Sequence, residues 1–251
     1  GDSMIERAVV FGSNSFSGSH LVARLLDDGV TVLGISRSEE PHRAFRPYDG
    51  AVNRSPGRFR FLRADLNADL ASVARAMDEL QPTHAFNFAA QSMVAQSWET
   101  PADWYRTNVL GVVRLAELLM RVESLQGLIH VTTPEVYGST NGRIRENWSF
   151  SPSTPYAASR AAGDWHLRLL AESGRLPVVF TRAANVYGPG QQLYRIIPRA
   201  LLAVRTGARI PLHGGGSSRR SFIHIRDVVD GTLRVATSAA SGESYHLSTD
   251  R

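Results

Sequence analysis

Residues 8–18 read Ala-Val-Val-Phe-Gly-Ser-Asn-Ser-Phe-Ser-Gly, a pattern typical of a strand, a tight turn and a helix in succession. Four apolar residues ending at Phe11 predict a buried strand, and the apolar spacing from Phe16 predicts a helix that reaches residue 28. Glycine in the turn between them lets the backbone curl and approach a pyrophosphate, to which the helix N-terminus offers N–H donors. The spacing fits G-x-x-G-x-x-G with Ser15 in the middle position and Gly18 at its end. The sequence therefore predicts a dinucleotide phosphate turn, with an ordinary tight turn as the alternative.

The rest of the chain continues the strand–helix alternation. Further strands are predicted at residues 31–35, 59–62, 84–88, 128–132 and 177–181. Helices are predicted at residues 70–80, 102–121 and 156–172, and a loop rich in Pro, Gly and Arg at residues 38–57. This rhythm is typical of an α/β, Rossmann-type doubly wound parallel sheet, which we expect to form an NAD(P)-binding domain over residues 4–186.

The character of the sequence changes after residue 187. We expect a partial, small C-terminal substrate-binding lobe over residues 187–251. Its predicted elements are a helix at residues 194–206, a short strand near Ile210, a loop at Gly214-Gly215-Gly216, a strand at residues 222–225, a helix from Asp227 and a strand at residues 245–247.

Composition excludes several classes of chemistry. Cysteine is absent, and all 28 basic residues are Arg, because the sequence contains no Lys. Disulfides, thiolate metal sites, a Cys nucleophile, Schiff-base chemistry and a Lys-containing phosphate loop are therefore excluded, and we expect no metal. The net charge of +5 favours an anionic ligand such as a nucleotide diphosphate over nucleic acid, because no basic-aromatic recognition pattern is present.

No apolar run approaches the roughly 20 residues that cross a bilayer. The first three residues, Gly-Asp-Ser before Met4, are typical of a tag remnant and contain no apolar signal region. A cytoplasmic enzyme without a membrane partner is the expectation.

The segment after the second predicted strand bears on the choice of cofactor. An acid there would bind the ribose hydroxyls of NAD, whereas an Arg can hold the 2′-phosphate of NADP. Arg37 and Ser38 follow the strand, with no acid before Glu39. This favours NADP over NAD, unless Arg37 is simply one of many exposed arginines. Asp65-Leu66 would suit contact with the adenine, or Asp65 would cap the next helix.

Three later segments carry candidate catalytic residues. Thr-Thr-Pro-Glu-Val-Tyr-Gly occupies residues 132–138, Tyr-Ala-Ala-Ser-Arg residues 156–160, and Arg-Ala-Ala-Asn-Val-Tyr-Gly-Pro residues 182–189. Tyr156 and Arg160 are four residues apart on one predicted helix and so share a face. A cation beside a phenol stabilises the phenolate, which would prepare Tyr156 as a base.

In combination these segments resemble the extended short-chain dehydrogenase/reductase family, and within it the NAD(P)-dependent nucleotide-sugar epimerases and dehydratases. The resemblance covers nearly the whole chain and includes Asn-Phe-Ala-Ala-Gln-Ser at residues 87–92, Asn108, and Arg-x-Phe-x-His from Arg220. Ala-Ala-Gln-Ser, followed by Ser-Trp-Glu at residues 97–99, is most similar to GDP-mannose 4,6-dehydratases.

The resemblance implies a role for each matching residue. A 4,6-dehydratase of this kind oxidises the sugar at C4, loses water across C5 and C6 and returns the hydride to C6. The implied catalytic residues are Thr133, Glu135, Tyr156 and Arg160. Cofactor contacts are expected from Gly12, Ser13, Asn14, Ser15, Phe16, Gly18, Arg37, Ser38, Asp65, Leu66, Ala89, Ala90, Gln91, Asn108, Tyr156 and Arg160. Contacts with a nucleotide-diphosphate sugar are expected from Gln91, Ser92, Asn185, Arg195, Arg199 and Arg220.

The sequence departs from the family pattern at three positions. Arg160 stands where the family has Lys, Ser15 where members often have Gly, and Pro134 where dTDP-glucose dehydratases carry Asp. Arg keeps the positive charge of Lys but is planar and bulkier, so its contacts must differ. A nucleotide-sugar epimerase or 4-keto reductase therefore stays open, as does a dinucleotide-binding protein without turnover. The family also predicts a homodimer or a higher homo-oligomer built through residues 102–121 and 156–172; the alternative is that both helices simply pack on the sheet.

Overall fold

Among the residues that the structure describes, seven parallel strands form the main sheet. The computed structural model describes residues 5–140, 143–211 and 220–249. The strands are β1 Arg7–Phe11, β2 Thr31–Ser36, β3 Phe59–Arg63, β4 His84–Asn87, β5 Gly127–Thr132, β6 Val178–Ala183 and β9 Ser244–Leu247. Their order is β3-β2-β1-β4-β5-β6-β9, and every neighbouring pair is parallel. The predicted doubly wound Rossmann-type sheet is thus confirmed.

Helices cover the sheet and connect its strands. They are α1 Phe16–Asp27, α2 Asp49–Arg54, α3 Leu70–Leu80, α4 Pro101–Tyr105, α5 Val112–Leu119, α6 Pro155–Glu172, α7 Ile196–Thr206 and α8 Ile225–Ser238. A second sheet pairs β7 Asn185–Tyr187 with β8 Phe222–His224. Local sequence fixes the start of α6, because the Thr154 hydroxyl accepts a hydrogen bond from the N–H of Ala157, and Pro155 occupies the first helical position.

The core lies on both faces of the sheet. Val9 and Phe11 of β1 pack on the side of α3, α5 and α6, whereas Ala8 and Val10 pack on the side of α1, α2 and α8. All four side chains are fully buried. A strand buried on both faces needs an unbroken apolar run, which is what residues 8–11 supply.

Two sequence-based assignments are wrong in detail. The expected loop at residues 38–57 contains a 3₁₀ turn, Arg43–Phe45, and helix α2. Beside them Tyr48 is buried, donates a hydrogen bond to Glu40 and packs against Phe59. Helices of three and six residues are too short to show a period, so Pro and Gly dominate the pattern there. The short strand expected near Ile210 is absent from residues 208–211, which have no regular structure.

The long helix expected at residues 102–121 is α4 and α5 joined through a π-helical segment, Arg106–Gly111. Strand β9 lies beside β6 in the main sheet, although its residues fall within the range assigned to the substrate lobe. The division at residue 187 stays a prediction, and the loop at Gly214-Gly215-Gly216 lies outside the described residues. Within residues 5–140, 143–211 and 220–249, every helix is too short or too polar to cross a membrane.

Candidate active site

The turn after β1 packs so closely against neighbouring backbone that two of its positions have no room for a side chain. Gly12 has a φ of +77°, and a Cβ at this position would lie 2.8 Å from the backbone nitrogen of Ala89. A Cβ on Gly18 would overlap with the carbonyl oxygen of Gly12. Ser15 caps α1, because its Oγ accepts a hydrogen bond from the N–H of Gly18 at 3.0 Å. The turn therefore excludes side chains at positions 12 and 18 and presents the start of α1.

A cleft of about 1000 Å³, including its open mouth, lies where the strand order reverses between β1 and β4. This is where open α/β sheets bind ligands. Among the predicted cofactor residues, those that line the cleft are Gly12, Asn14, Ser15, Arg37, Ser38, Asp65, Leu66, Ala89, Ala90 and Gln91. The remaining predicted residues lie outside its lining: Ser13, Phe16, Gly18, Asn108, Tyr156 and Arg160.

Two buried amide oxygens in this cleft have no hydrogen-bond donor among the described residues. They are Oδ1 of Asn14 and Oδ1 of Asn67. A buried acceptor without a donor is costly, and a ligand hydroxyl or amino group would satisfy it. Together with the glycine turn, these acceptors fit a bound dinucleotide. Sequence reasoning missed Asn67 as well as Ser36 and Thr107, which also line the cleft; the position of Asn67 just after β3 was the available signal.

Arg37, which follows directly after β2, contributes a positive charge to the lining of the cleft. Asn14 donates from its amide to the backbone oxygens of Ser38 and Glu39, at 3.0 and 2.8 Å. Glu39 pairs with Arg63 at 2.5 Å. Arg37 is exposed, and its guanidinium has neither a hydrogen bond nor an ion pair within the described ranges. It is free to meet an anion.

The candidate catalytic side chains come from two elements that pack together. A 3₁₀ turn, Pro134–Tyr137, follows β5 and contacts α6. Thr133 caps this turn: its Oγ1 accepts a hydrogen bond from the N–H of Glu135 at 3.2 Å, which leaves its hydroxyl proton available to donate. The Glu135 carboxylate and the Tyr156 hydroxyl are partly exposed and make no hydrogen bonds to the part of the chain that the structure describes.

Arg160 points into the protein interior. It is 6% exposed, and its Nη2 donates to the carbonyl oxygen of Val131 at 2.5 Å. The guanidinium thus bonds to strand β5 one helical turn beyond Tyr156. Its role in binding the cofactor stays a prediction.

Asn108 lies in the π-helical segment and bonds to the loop that follows β4. Its Oδ1 accepts from the N–H of Gln91 at 2.8 Å, and its Nδ2 donates to the Gln91 carbonyl oxygen at 3.0 Å. The same Nδ2 also donates to Ser159 on α6 at 2.9 Å. Asn108 therefore fixes both backbone groups of Gln91, a residue that lines the cleft.

The predicted substrate residues come from several different elements. Asn185 in β7 donates to the carbonyl oxygen of Ser221 at 3.1 Å. Arg195 is the N-cap residue of α7, and its guanidinium carbon lies 5.3 Å from the ring centroid of Tyr194. The remaining members are exposed and comprise Ser92, Arg199 and Arg220. Of the predicted substrate residues, only Gln91 lines the cleft, so the group as a whole stays a prediction.

Comparison with known proteins gives a consistent result. The model of the NAD dependent epimerase/dehydratase family matches residues 8–248. A dTDP-glucose 4,6-dehydratase of Streptomyces niveus is 33% identical, with 96% of this chain covering 72% of that protein. A UDP-glucose 4-epimerase of Mycolicibacterium smegmatis is also 33% identical, with coverages of 97% and 77%.

A solved structure shows the same arrangement of strands and helices. It is the dTDP-glucose 4,6-dehydratase of Streptomyces venezuelae with NAD and TYD bound, with a TM-score of 0.83 and 31% identity, covering 96% of this chain and 75% of that one. These relatives are named for dTDP-glucose and UDP-glucose, so the resemblance to GDP-mannose 4,6-dehydratases stays a prediction.

Proposed function

Because the chain belongs to the NAD-dependent epimerase/dehydratase family, we propose that it is a nucleotide-sugar 4,6-dehydratase that uses NAD(P). The observation that carries this proposal is the pairing of Thr133 and Glu135 on one turn that packs against the helix of Tyr156. A dehydratase needs a base at the 4-hydroxyl and a second group that can take a proton at C5 and return one at C6.

The cofactor would be held along the cleft. The turn at Gly12 and the start of α1 suit the pyrophosphate, and Asp65 and Leu66 suit the adenine. Ala89 and the residues after it suit the nicotinamide half. When bound, the nicotinamide supplies the acceptor and donor of hydride.

NADP is the favoured form of the cofactor. Arg37 lies in the cleft lining without a partner among the described residues, whereas Glu39 is engaged by Arg63. An unpaired guanidinium suits the 2′-phosphate, with which it can form two parallel hydrogen bonds. Replacing Arg37 by Gln should weaken NADP binding about tenfold and leave NAD binding nearly unchanged, measured by calorimetry. Arg121→Gln, at an exposed arginine outside the cleft, is the matched control; equal loss for both dinucleotides would contradict the preference.

The side chains would then act in sequence. Tyr156 as phenolate takes the proton of the sugar 4-hydroxyl as C4 is oxidised, and the Thr133 hydroxyl donates a hydrogen bond to the 4-oxygen. The resulting ketone acidifies the C5 proton, which Glu135 removes. Glu135 then returns a proton to the 6-hydroxyl, which leaves as water.

The experiment is incubation with dTDP-glucose, UDP-glucose and GDP-mannose in the presence of NADP or NAD, with the product analysed by mass spectrometry and NMR. A 4-keto-6-deoxy product that has lost water supports the proposal. Glu135→Gln should abolish water loss and still allow cofactor reduction, seen as the absorbance of the reduced nicotinamide. Glu123→Gln, at an exposed glutamate, should behave as wild type.

Epimerisation is the second candidate. It is favoured by the UDP-glucose 4-epimerase that matches 97% of this chain, and by Pro134, which stands where dTDP-glucose dehydratases carry an acid. An epimerase would give a product of unchanged mass with an inverted 4-hydroxyl. It would also retain activity when Glu135 is replaced by Gln.

A homodimer is part of the proposal. The helices at residues 101–119 and α6 pack together and expose Tyr105, Leu110, Trp165 and Leu169. Large exposed apolar side chains on adjoining helices suit an interface with a second copy. A monomeric mass in light scattering would reject the dimer.

A further inference from the structure

A buried polar network lies between β5, β6 and α6, and the proposed mechanism does not use it. At its centre is Asp164 of α6, whose side chain is fully buried. Its Oδ2 accepts hydrogen bonds from Thr132 at 2.8 Å and from Arg182 Nη2 at 2.9 Å. Nε2 of His130 lies 3.3 Å from the other oxygen, Oδ1, within ion-pair distance, and Oδ1 accepts no hydrogen bond of good geometry from the described residues.

Besides its bond to Asp164, the guanidinium of Arg182 contacts three aromatic rings and a serine. Its guanidinium carbon lies 5.0 to 5.6 Å from the ring centroids of Tyr137, Trp148 and Phe150, and Nη1 donates to Ser244 on β9. A permanently charged donor held in this way keeps Asp164 ionised. Burial opposes ionisation, but the contact with His130 and the charges of Arg182 and Arg160 lower the pKa of Asp164 below its usual value.

The directions of the hydrogen bonds then follow from one another. An ionised Asp164 only accepts, so the proton on His130 must be on Nε2. Burial lowers the pKa of His130, which keeps the ring neutral, and Nδ1 is therefore an acceptor. Nδ1 lies 3.1 Å from Nδ2 of Asn87, which donates to it. The amide of Asn87 is thereby turned so that its Oδ1 accepts from the N–H of Ala89 at 3.0 Å.

We propose that Asp164 and His130 are positioning residues that set the orientation of the Asn87 amide and so hold the Ala89 backbone in the cofactor cleft. Asn87 and Ala89 both line that cleft, whereas His130 and Asp164 do not. Without an acceptor at Nδ1, the Asn87 amide has no reason to prefer the orientation that presents its oxygen to Ala89. The loop at Ala89 then loses a directional hydrogen bond, and the site for the dinucleotide loosens.

The test compares two buried histidines of the main sheet. His130→Leu removes the acceptor at Nδ1. His84→Leu is the control: His84 is also buried, at 1% exposure, but it lies at the start of β4, whereas Asn87 lies at the end of that strand. We expect His130→Leu to raise the dissociation constant of NADP about tenfold, the effect of losing one well-placed hydrogen bond. His84→Leu should lower thermal stability to a similar extent and leave that constant unchanged. His130→Gln, which can donate to Asp164 and accept from Asn87, should restore affinity to within a few-fold of wild type.

The inference rests on the proposed function, because it assumes that the cleft binds a dinucleotide. If the wild-type protein binds neither NADP nor NAD, the proposed function fails and the inference with it. If wild type binds NADP and the two leucine variants bind it equally, the inference alone fails. Nitrogen-15 NMR of the wild-type protein gives an answer even if no variant folds: a neutral His130 with its proton on Nε2 is expected, and a proton on Nδ1 overturns the assignment.

Discussion

Gly12→Ala should lower both stability and affinity for the cofactor. A control variant distinguishes this effect from the cost of backbone strain alone. Gly12 and Gly29 have nearly equal φ values, +77° and +81°, both in the left-handed region. A Cβ on Gly29 would meet nothing within 4 Å, whereas a Cβ on Gly12 would lie 2.8 Å from the Ala89 nitrogen and from the Phe88 carbonyl carbon. Gly29→Ala is therefore the matched control for conformational strain alone.

The magnitudes follow from these contacts. An alanine in the left-handed region costs about 1–2 kcal/mol, offset by roughly 0.4–1 kcal/mol from a less flexible unfolded chain. Gly29→Ala should thus lower stability by about 1 kcal/mol and Tm by about 2–4 °C. At Gly12 the peptide between Phe88 and Ala89 must also retreat several tenths of an ångström, at a further cost of about 1–3 kcal/mol typical of overpacking.

Calorimetry distinguishes the two variants. Scanning calorimetry without cofactor should show the larger loss of Tm for Gly12→Ala. Titration with NADP should show at least a tenfold loss of affinity for that variant, because the displaced Ala89 lines the cleft, and no loss for Gly29→Ala. If both variants lose the same stability and both bind NADP as wild type does, the close packing of the turn against Ala89 has no energetic importance.

Further predictions concern the cap of α1, the buried histidines and the π-helical segment. Ser15→Ala should lower stability by about 1 kcal/mol and Ser15→Gly by only a few tenths, because the hydroxyl caps the helix; equal Tm values for the two would contradict this. Burial lowers the pKa of His84 and His130, so the unfolded chain binds protons below about pH 6.5 that the fold cannot. Stability in urea should thus be complete above that pH and fall by up to about 1.4 kcal/mol per unit per histidine below it; greater stability at pH 5.5 than at 7.5 would exclude this. Asn108→Ala should cost about 2–3 kcal/mol and raise the KM for the cofactor more than it lowers kcat, since it releases Gln91. Asn53→Ala, at an exposed asparagine outside the cleft, is the control, and an equal rise in KM for both variants would contradict the role given to Asn108.

The sequence best predicted those features that are specified by residues close to one another in the chain. The apolar run ending at Phe11, the glycine turn and the following helix predicted the cleft, because each is specified by neighbouring residues. Helix α2 escaped prediction because six residues carry no measurable period, and its stability comes from burial of Tyr48 and Ala51 against distant elements.

Contacts between distant segments could not be predicted at all. The pattern showed Arg160 four residues after Tyr156 but could not show that its guanidinium bonds to the Val131 carbonyl. Likewise His130 and Asp164 are 34 positions apart in the chain, and nothing in their local sequence distinguishes them from ordinary core residues. Only the packing of α6 against β5 brings them together.

Three independent connections end on the segment from Asn87 to Gln91. Gly12 packs against the Ala89 backbone, His130 orients Asn87, and Asn108 bonds to both backbone groups of Gln91. Because these contacts come from β1, β5 and the π-helical segment, a shift in any of those elements would be transmitted to the cleft wall. Two of the three departures from the family pattern, Ser15 and Arg160, make none of these connections: Ser15 caps its own helix, and Arg160 bonds to β5. The residues that stand in place of the family's glycine and lysine, at positions 15 and 160, therefore supply none of the contacts that hold the segment from Asn87 to Gln91.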